Sequence, residues 1–161
     1  MNKKQYNEIV ELYADSLYRF MLKSCNQEEL SKDIVQDAFE KLWLKHEAIE
    51  FISAKSYLFT SAYHRMIDYY RKNKRMENEE KIPLQEHLST NEYNDLNEIL
   101  NKAINLLPEQ QRSVLLLRDY EGYAYEEIAE ITGLSLSQVK VYIYRARVFL
   151  KNKIGSIEAL I

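Results

Sequence analysis

Apolar residues return every three or four positions through most of the first 72 residues, the spacing that puts them on one face of a helix. Ile9, Leu12, Tyr13, Leu17, Phe20 and Met21 make a first stripe. Leu30, Ile34, Val35, Ala38, Phe39, Leu42 and Trp43 make a second, and Tyr57, Leu58, Ala62, Met66, Ile67 and Tyr70 a third. Three such helices can bury a shared core, where one alone is marginal in water. Ser31, Lys32 and Asp33 lie near the predicted start of the second helix, and Ser53 is a candidate N-cap for the third. The period fails between about Lys74 and Asn94, a polar, charged stretch that reads as a flexible linker over 76–94. Helical spacing resumes near Asp95 and runs to Lys153, broken at Leu107-Pro108, at Glu121-Gly122 and at Gly133. The pattern predicts an all-α protein with two small domains. Residues 1–75 form a unit of three to four helices, and residues 95–161 form a four-helix unit.

Composition narrows this further. Three glycines and two prolines in 161 residues are too few for the tight turns that many short strands require. One cysteine, Cys25, excludes an internal disulfide, and His46, His64 and His87 do not fall at metal-ligand spacing. No apolar run approaches the roughly 20 residues needed to span a bilayer, and the N-terminus lacks the apolar segment of a signal peptide. A cytoplasmic protein without membrane insertion is expected. No Gly-rich phosphate loop, metal cluster or nucleophile–base arrangement is readable, so neither an enzyme nor a bound cofactor is expected.

The net charge of −3 is unevenly distributed. Between Tyr63 and Arg75, five cations (Arg65, Arg71, Lys72, Lys74 and Arg75) face one acid, Asp68. Between Gln138 and Lys153, Lys140, Arg145, Arg147, Lys151 and Lys153 face none. Two basic stripes on an otherwise acidic body suggest two phosphate-facing surfaces, with solvated helix faces as the plain alternative. The second stripe follows a helix-turn-helix pattern from Tyr125 to Lys140. Ala129 is small where two helices must touch, Gly133 tolerates positive φ at the turn, and Ser135 or Ser137 can cap the second helix. Val139, Ile143, Ala146 and Leu150 anchor that helix inward. Ser137, Gln138, Lys140, Val141, Tyr144 and Arg145 are then candidates to meet duplex DNA in the major groove.

Leu107-Pro108-Glu109-Gln110-Gln111-Arg112, Leu115-Leu116-Leu117-Arg118, Glu121-Gly122, Tyr125-Glu126-Glu127-Ile128-Ala129, Val139-Lys140 and Arg145-Ala146-Arg147 together resemble the fourth conserved region of bacterial sigma factors. Independently, Asp33 to Trp43 is similar to the sigma segment that docks on the polymerase clamp. Tyr57-Leu58-Phe59 through Ala62, with Ile67-Asp68-Tyr69 and Arg71-Lys72, looks like the segment that melts and reads promoter DNA. Two such regions with a short linker between them are the pattern of the small extracytoplasmic-function (ECF) group, and the resemblance covers nearly the whole chain.

The resemblance implies a transcription initiation factor that binds core RNA polymerase and directs it to promoter DNA. It would read the −35 element as duplex and the −10 element as a melted strand. It implies polymerase contacts at Gln36, Asp37, Glu40 and Lys41, and contacts to the melted element at Tyr57, Thr60, His64, Arg65, Arg71 and Lys72. A pocket for a flipped base is implied near 47–55, and an anti-sigma factor is a further expected partner. Trp43 is expected in the core, and for His64 an ordinary surface role stays open. The chain departs from the family where Tyr57, Thr60 and His64 replace Trp, Arg and Asn, and where Val141, Tyr142 and Tyr144 replace Ser, Arg and His or Phe. Ala124 replaces a capping Ser. These departures bear on the promoter letters, not on the fold. A conventional regulator with a sensing or dimerising N-terminal half is the rival reading, but it needs neither the clamp-like segment nor the aromatic-basic stripe.

Overall fold

The computed structural model describes residues 1–77 and 96–158, all in helices and short connections. Most of the expected linker, 78–94, lies outside the described residues, while Met76 and Glu77 continue the third helix. The N-terminal unit is α1 (Lys3–Cys25), α2 (Glu28–Leu44) and α3 (Ala54–Glu77). The C-terminal unit is α4 (Leu96–Asn105), α5 (Glu109–Leu115), α6 (Tyr125–Thr132) and α7 (Leu136–Glu158).

Several of these boundaries have a local cause. At the start of α1, the Asn2 side chain accepts from the Gln5 amide at 2.8 Å while Gln5 Oε1 accepts from the Asn2 amide at 2.9 Å. That reciprocal pair satisfies two donors which a helix start otherwise leaves open. Asn26 ends α1 in the left-handed conformation at φ 53°, its amide returning to the Leu22 carbonyl at 2.8 Å. The second helix starts three residues before Ser31. That serine is buried inside α2, where its hydroxyl donates to the Gln27 carbonyl at 2.6 Å and lies 3.2 Å from Cys25 Sγ. A 3-10 turn, Phe51–Ser53, leads into α3, so Ser53 ends that turn just ahead of the helix.

The three N-terminal helices bury Ile9, Leu17, Phe20, Met21, Ile34, Ala38, Leu42, Leu58, Phe59, Ala62 and Met66 together. Trp43 departs from expectation: it is 39% exposed, stacked on His46 at 4.2 Å and tilted against Tyr6 at 5.0 Å. It sits in the last turn of α2, one residue past buried Leu42, where the helix has already reached the edge of the core.

In the C-terminal unit, α5 does not stop at Leu115 but widens into a π-helical turn over Leu116–Tyr120. The Glu121 amide there reaches back five residues to the Leu116 carbonyl at 3.1 Å. The wide turn carries Tyr120 and Glu121 toward α1. Lys23 Nζ lies 3.8 Å over the Tyr120 ring, and Arg19 forms a two-pronged pair with Glu121 at 2.9 and 3.1 Å. The two units therefore share a seam. Tyr123, 2% exposed, stands edge-on to Phe59 at 5.2 Å with Lys55 Nζ 4.4 Å over its ring. Arg112 donates to the carbonyls of Leu107 and Ser24, and the Tyr70 hydroxyl donates to the same Ser24 carbonyl at 3.2 Å. Burial raises the pKa of the Tyr123 phenol well above its ordinary range, so it stays neutral.

Glu109, half-buried at this seam, has its carboxyl raised above the ordinary glutamate range by desolvation, against the opposing pull of Lys74, Arg112 and Arg71. A carboxyl raised on folding contributes stability below its unfolded pKa, and that contribution fades as pH climbs through the folded value. Glu109→Gln should therefore flatten the fall in stability as pH rises from about 4 toward 7, measured as thermal midpoint against pH.

Candidate nucleic-acid interface

The helix-turn-helix is built by α6, a three-residue turn and α7. Gly133 closes α6 at φ 77°, its amide donating to the Ala129 carbonyl at 2.9 Å. Among the described residues, no atom stands within 4 Å of a Cβ placed there, so the cost of a side chain is conformational. Gly133→Ala should cost about 1–2 kcal/mol in chemical denaturation, and Gly133→Asn less. The α7 cap is Ser135: its Oγ accepts from the Gln138 amide at 3.1 Å, and Gln138 Oε1 accepts from the Ser135 amide at 3.0 Å. Gln138 thus has one end tied to the cap. At the start of α6, Glu127 Oε1 accepts from the Ala124 amide at 3.1 Å, which supplies half of the box without a capping hydroxyl.

Val139, Ile143, Ala146 and Leu150 are buried and fix the rotation of α7. The opposite side is open: Ser137, Gln138, Lys140, Val141, Tyr144 and Arg145 are all exposed, as their spacing predicts. Arg147 belongs to the same basic stripe but turns away, gripping Asp119 at 2.6 and 3.2 Å. That carboxylate raises the guanidinium pKa further. Lys140, Arg145 and Lys151 remain exposed along the helix, and no acid is present on α7 between Leu136 and Gly155.

On α3, Tyr57, His64 and Arg71 are seven residues apart and line up along one face, with Thr60, Arg65 and Lys72 beside them. His64, Arg65, Arg71 and Lys72 are exposed, and Tyr57 and Thr60 are partly so. Lys45 Nζ lies 6.0 Å over the Tyr57 ring. The other aromatics of this stretch divide. Phe59 and Tyr63 are in the core, and burial pushes the Tyr63 phenol up to about 12. Tyr69 and Tyr70 are half-buried and hydrogen-bond toward Gln27 and Ser24. Arg71 also borders a cavity of about 320 Å³ at the seam, with Lys74 and Glu109.

On α2, Gln36, Glu40 and Lys41 are exposed and Asp37 is half-buried, while Ile34, Ala38, Phe39 and Leu42 face inward. Asp37 ties this face to α3, lying 3.1 Å from Lys41 and 3.9 Å from Arg65. The 45–53 connection places Ile52 outward, 85% exposed. Sequence reasoning reaches these faces but not the seam. Arg19, Lys23, Tyr120 and Tyr123 belong to no motif and Glu121 enters one only beside Gly122, while the pairing of Arg19 with Glu121 and of Lys23 with Tyr120 joins segments about a hundred residues apart.

Two helical units, one a helix-turn-helix whose outward face carries cations and no acid, define a DNA-reading transcription protein. Comparison with known proteins specifies which kind. Residues 9–76 match the model for Sigma-70 region 2, and residues 97–150 match that for Sigma-70, region 4. The chain is 28% identical to the RNA polymerase sigma factor YlaC of Bacillus subtilis, over 93% of this chain and 92% of that one. It is 25% identical to the ECF sigma factor SigM of the same organism, over 90% and 92%. Among solved structures, it matches the sigma factor RpoE of Bartonella quintana, in complex with the anti-sigma factor NepR. The TM-score is 0.80 at 26% identity, covering 94% of this chain and 98% of that one. The chain belongs to the ECF-type RNA polymerase sigma factors, non-catalytic proteins that start transcription.

Proposed function

We propose that this sigma factor reads a two-part promoter with two separate surfaces. Residues 95–161, through Ser137, Gln138, Lys140, Val141, Tyr144 and Arg145 of α7, bind the −35 element as duplex. Residues 1–75, through Tyr57, Thr60, His64, Arg65, Arg71 and Lys72 of α3, hold the −10 element as a melted strand. Gln36, Asp37, Glu40 and Lys41 of α2 meet the core polymerase. The observation that carries this reading is the geometry of α7, where the reading side chains stand opposite the buried stripe Val139, Ile143, Ala146 and Leu150. The partly exposed Tyr57 ring, with exposed His64, Arg65, Arg71 and Lys72 along the same side of α3, suits a single strand, since stacking contributes about 1–3 kcal/mol per base. Opening would then be driven by capture of the melted strand, with no nucleotide hydrolysis.

The test is reconstituted transcription with core polymerase on a promoter library. The reading requires transcripts from templates sharing two elements at fixed spacing; initiation without any shared upstream element would contradict it. Asp37→Lys with Glu40→Lys should weaken core polymerase binding at least about ten-fold in titration, because like charges brought into an interface are strongly unfavourable. An anti-sigma factor is a further expected partner, supported by the match to RpoE in its NepR complex over 94% of this chain.

A further inference from the structure

The outward face of α7 has an order to it that charge alone does not describe. Opposite the buried stripe, the centre line runs Ser137, Val141, Tyr144, Val148, at steps of four, three and four. Val141, Tyr144 and Val148 are 43%, 69% and 40% exposed. Such large apolar groups left in water at helical spacing ask for a covering surface. Lys140 and Lys151 flank this line on one side and Arg145 on the other, all exposed. A groove with phosphates on both walls and apolar groups on its floor fits this cross-section, and so the occupant is duplex DNA and not another protein.

Base edges offer the major groove only one apolar group, the thymine methyl. Valine has no donor or acceptor, so Val141 cannot read guanine, cytosine or adenine by hydrogen bonding. Tyr144 brings a ring as well as one hydroxyl. Ser137 to Tyr144 spans about 10 Å along the helix at 1.5 Å per residue, comparable to roughly three base pairs. We infer that Val141 and Tyr144 read thymine methyl groups, so that the upstream element carries A·T pairs, with thymine methyls facing this line, at the positions they cover. The inference rests on the proposed duplex reading by α7 and gives it a base preference.

The test uses the full chain bound to core polymerase and a duplex library randomised over the upstream element. The enriched duplex is then remade with deoxyuridine replacing thymidine, one position at a time, which removes only the methyl. At one or two positions uracil should weaken binding about four-fold, as expected for one buried methyl. In Val141→Ala that thymine–uracil difference should shrink to near unity at one position, with the salt dependence of binding unchanged because Lys140 and Arg145 are intact. Equal binding of thymine and uracil duplexes at every position would overturn the methyl assignment while leaving duplex reading in place. Enrichment of G·C pairs at the positions protected by α7 would do the same. Failure of the library to enrich any upstream sequence would instead remove the duplex reading itself, and this inference with it.

Discussion

Lys140→Glu combined with Arg145→Glu is expected to cut transcription from promoters that need the upstream element by at least roughly 100-fold. Both side chains are exposed, and neither belongs to the buried stripe that sets the rotation of α7. Each gives up a charge-assisted bond to phosphate, of about 1.5–3 kcal/mol, and adds a repelling carboxylate. The fold should be little affected, with thermal stability within about 0.5 kcal/mol of the parent, since changes at exposed sites away from packing are small. Run-off transcription paired with thermal unfolding separates the two effects. As an internal control, Arg147→Ala removes a cation of the same stripe that is already held by Asp119. It should cost transcription far less, and a loss as large as the double variant's would mean that Arg147 leaves Asp119 to bind DNA.

The second large effect concerns stability. Phe59 is fully buried, 5.7 Å from the Phe20 ring and 5.2 Å from Tyr123, so it joins the three-helix core to the seam. Phe59→Ala should destabilise the protein by about 3–5 kcal/mol, from lost transfer energy and the cavity left behind. That is a large share of the roughly 5–15 kcal/mol that holds a native protein together. Leu12→Ala, at a position of the α1 stripe that is 55% exposed, should stay within about 1 kcal/mol. Urea unfolding of the two variants measures the difference, and similar losses for both would show that Phe59 is not the keystone its burial implies.

These contrasts also show how much could be read before the structure. The inward stripe of α7 and the turn at Gly133 were legible because helical period and positive φ leave marks in single residues. Leu12 and Trp43 fit the same period yet lie at the edge, Leu12 at the side of the α1 stripe and Trp43 past the end of the α2 stripe, since a periodic pattern does not tell how wide the core is or where it ends. Ser135 could not be chosen over Ser137 from the sequence, and the Gln138 amide three residues on settles it by forming the reciprocal pair. The π-helical turn after Leu115 and the seam it serves were not legible at all. They depend on Arg19 meeting Glu121 and Phe59 meeting Tyr123, contacts between distant segments that no local pattern encodes. For the site, the outward faces of α2, α3 and α7 were readable as faces, while the tie between Asp37 and Arg65 and the diversion of Arg147 to Asp119 were not.

The measurement closest to the central claim is site-specific photo-crosslinking in the polymerase-bound complex on a single promoter. One probe replaces Tyr144 on α7 and another replaces His64 on α3. Two surfaces working on one DNA molecule predict that position 144 labels base-paired DNA upstream and that position 64 labels the unpaired non-template strand downstream. Labelling of polymerase or of this chain alone from both positions, on a promoter that is being transcribed, would contradict the account.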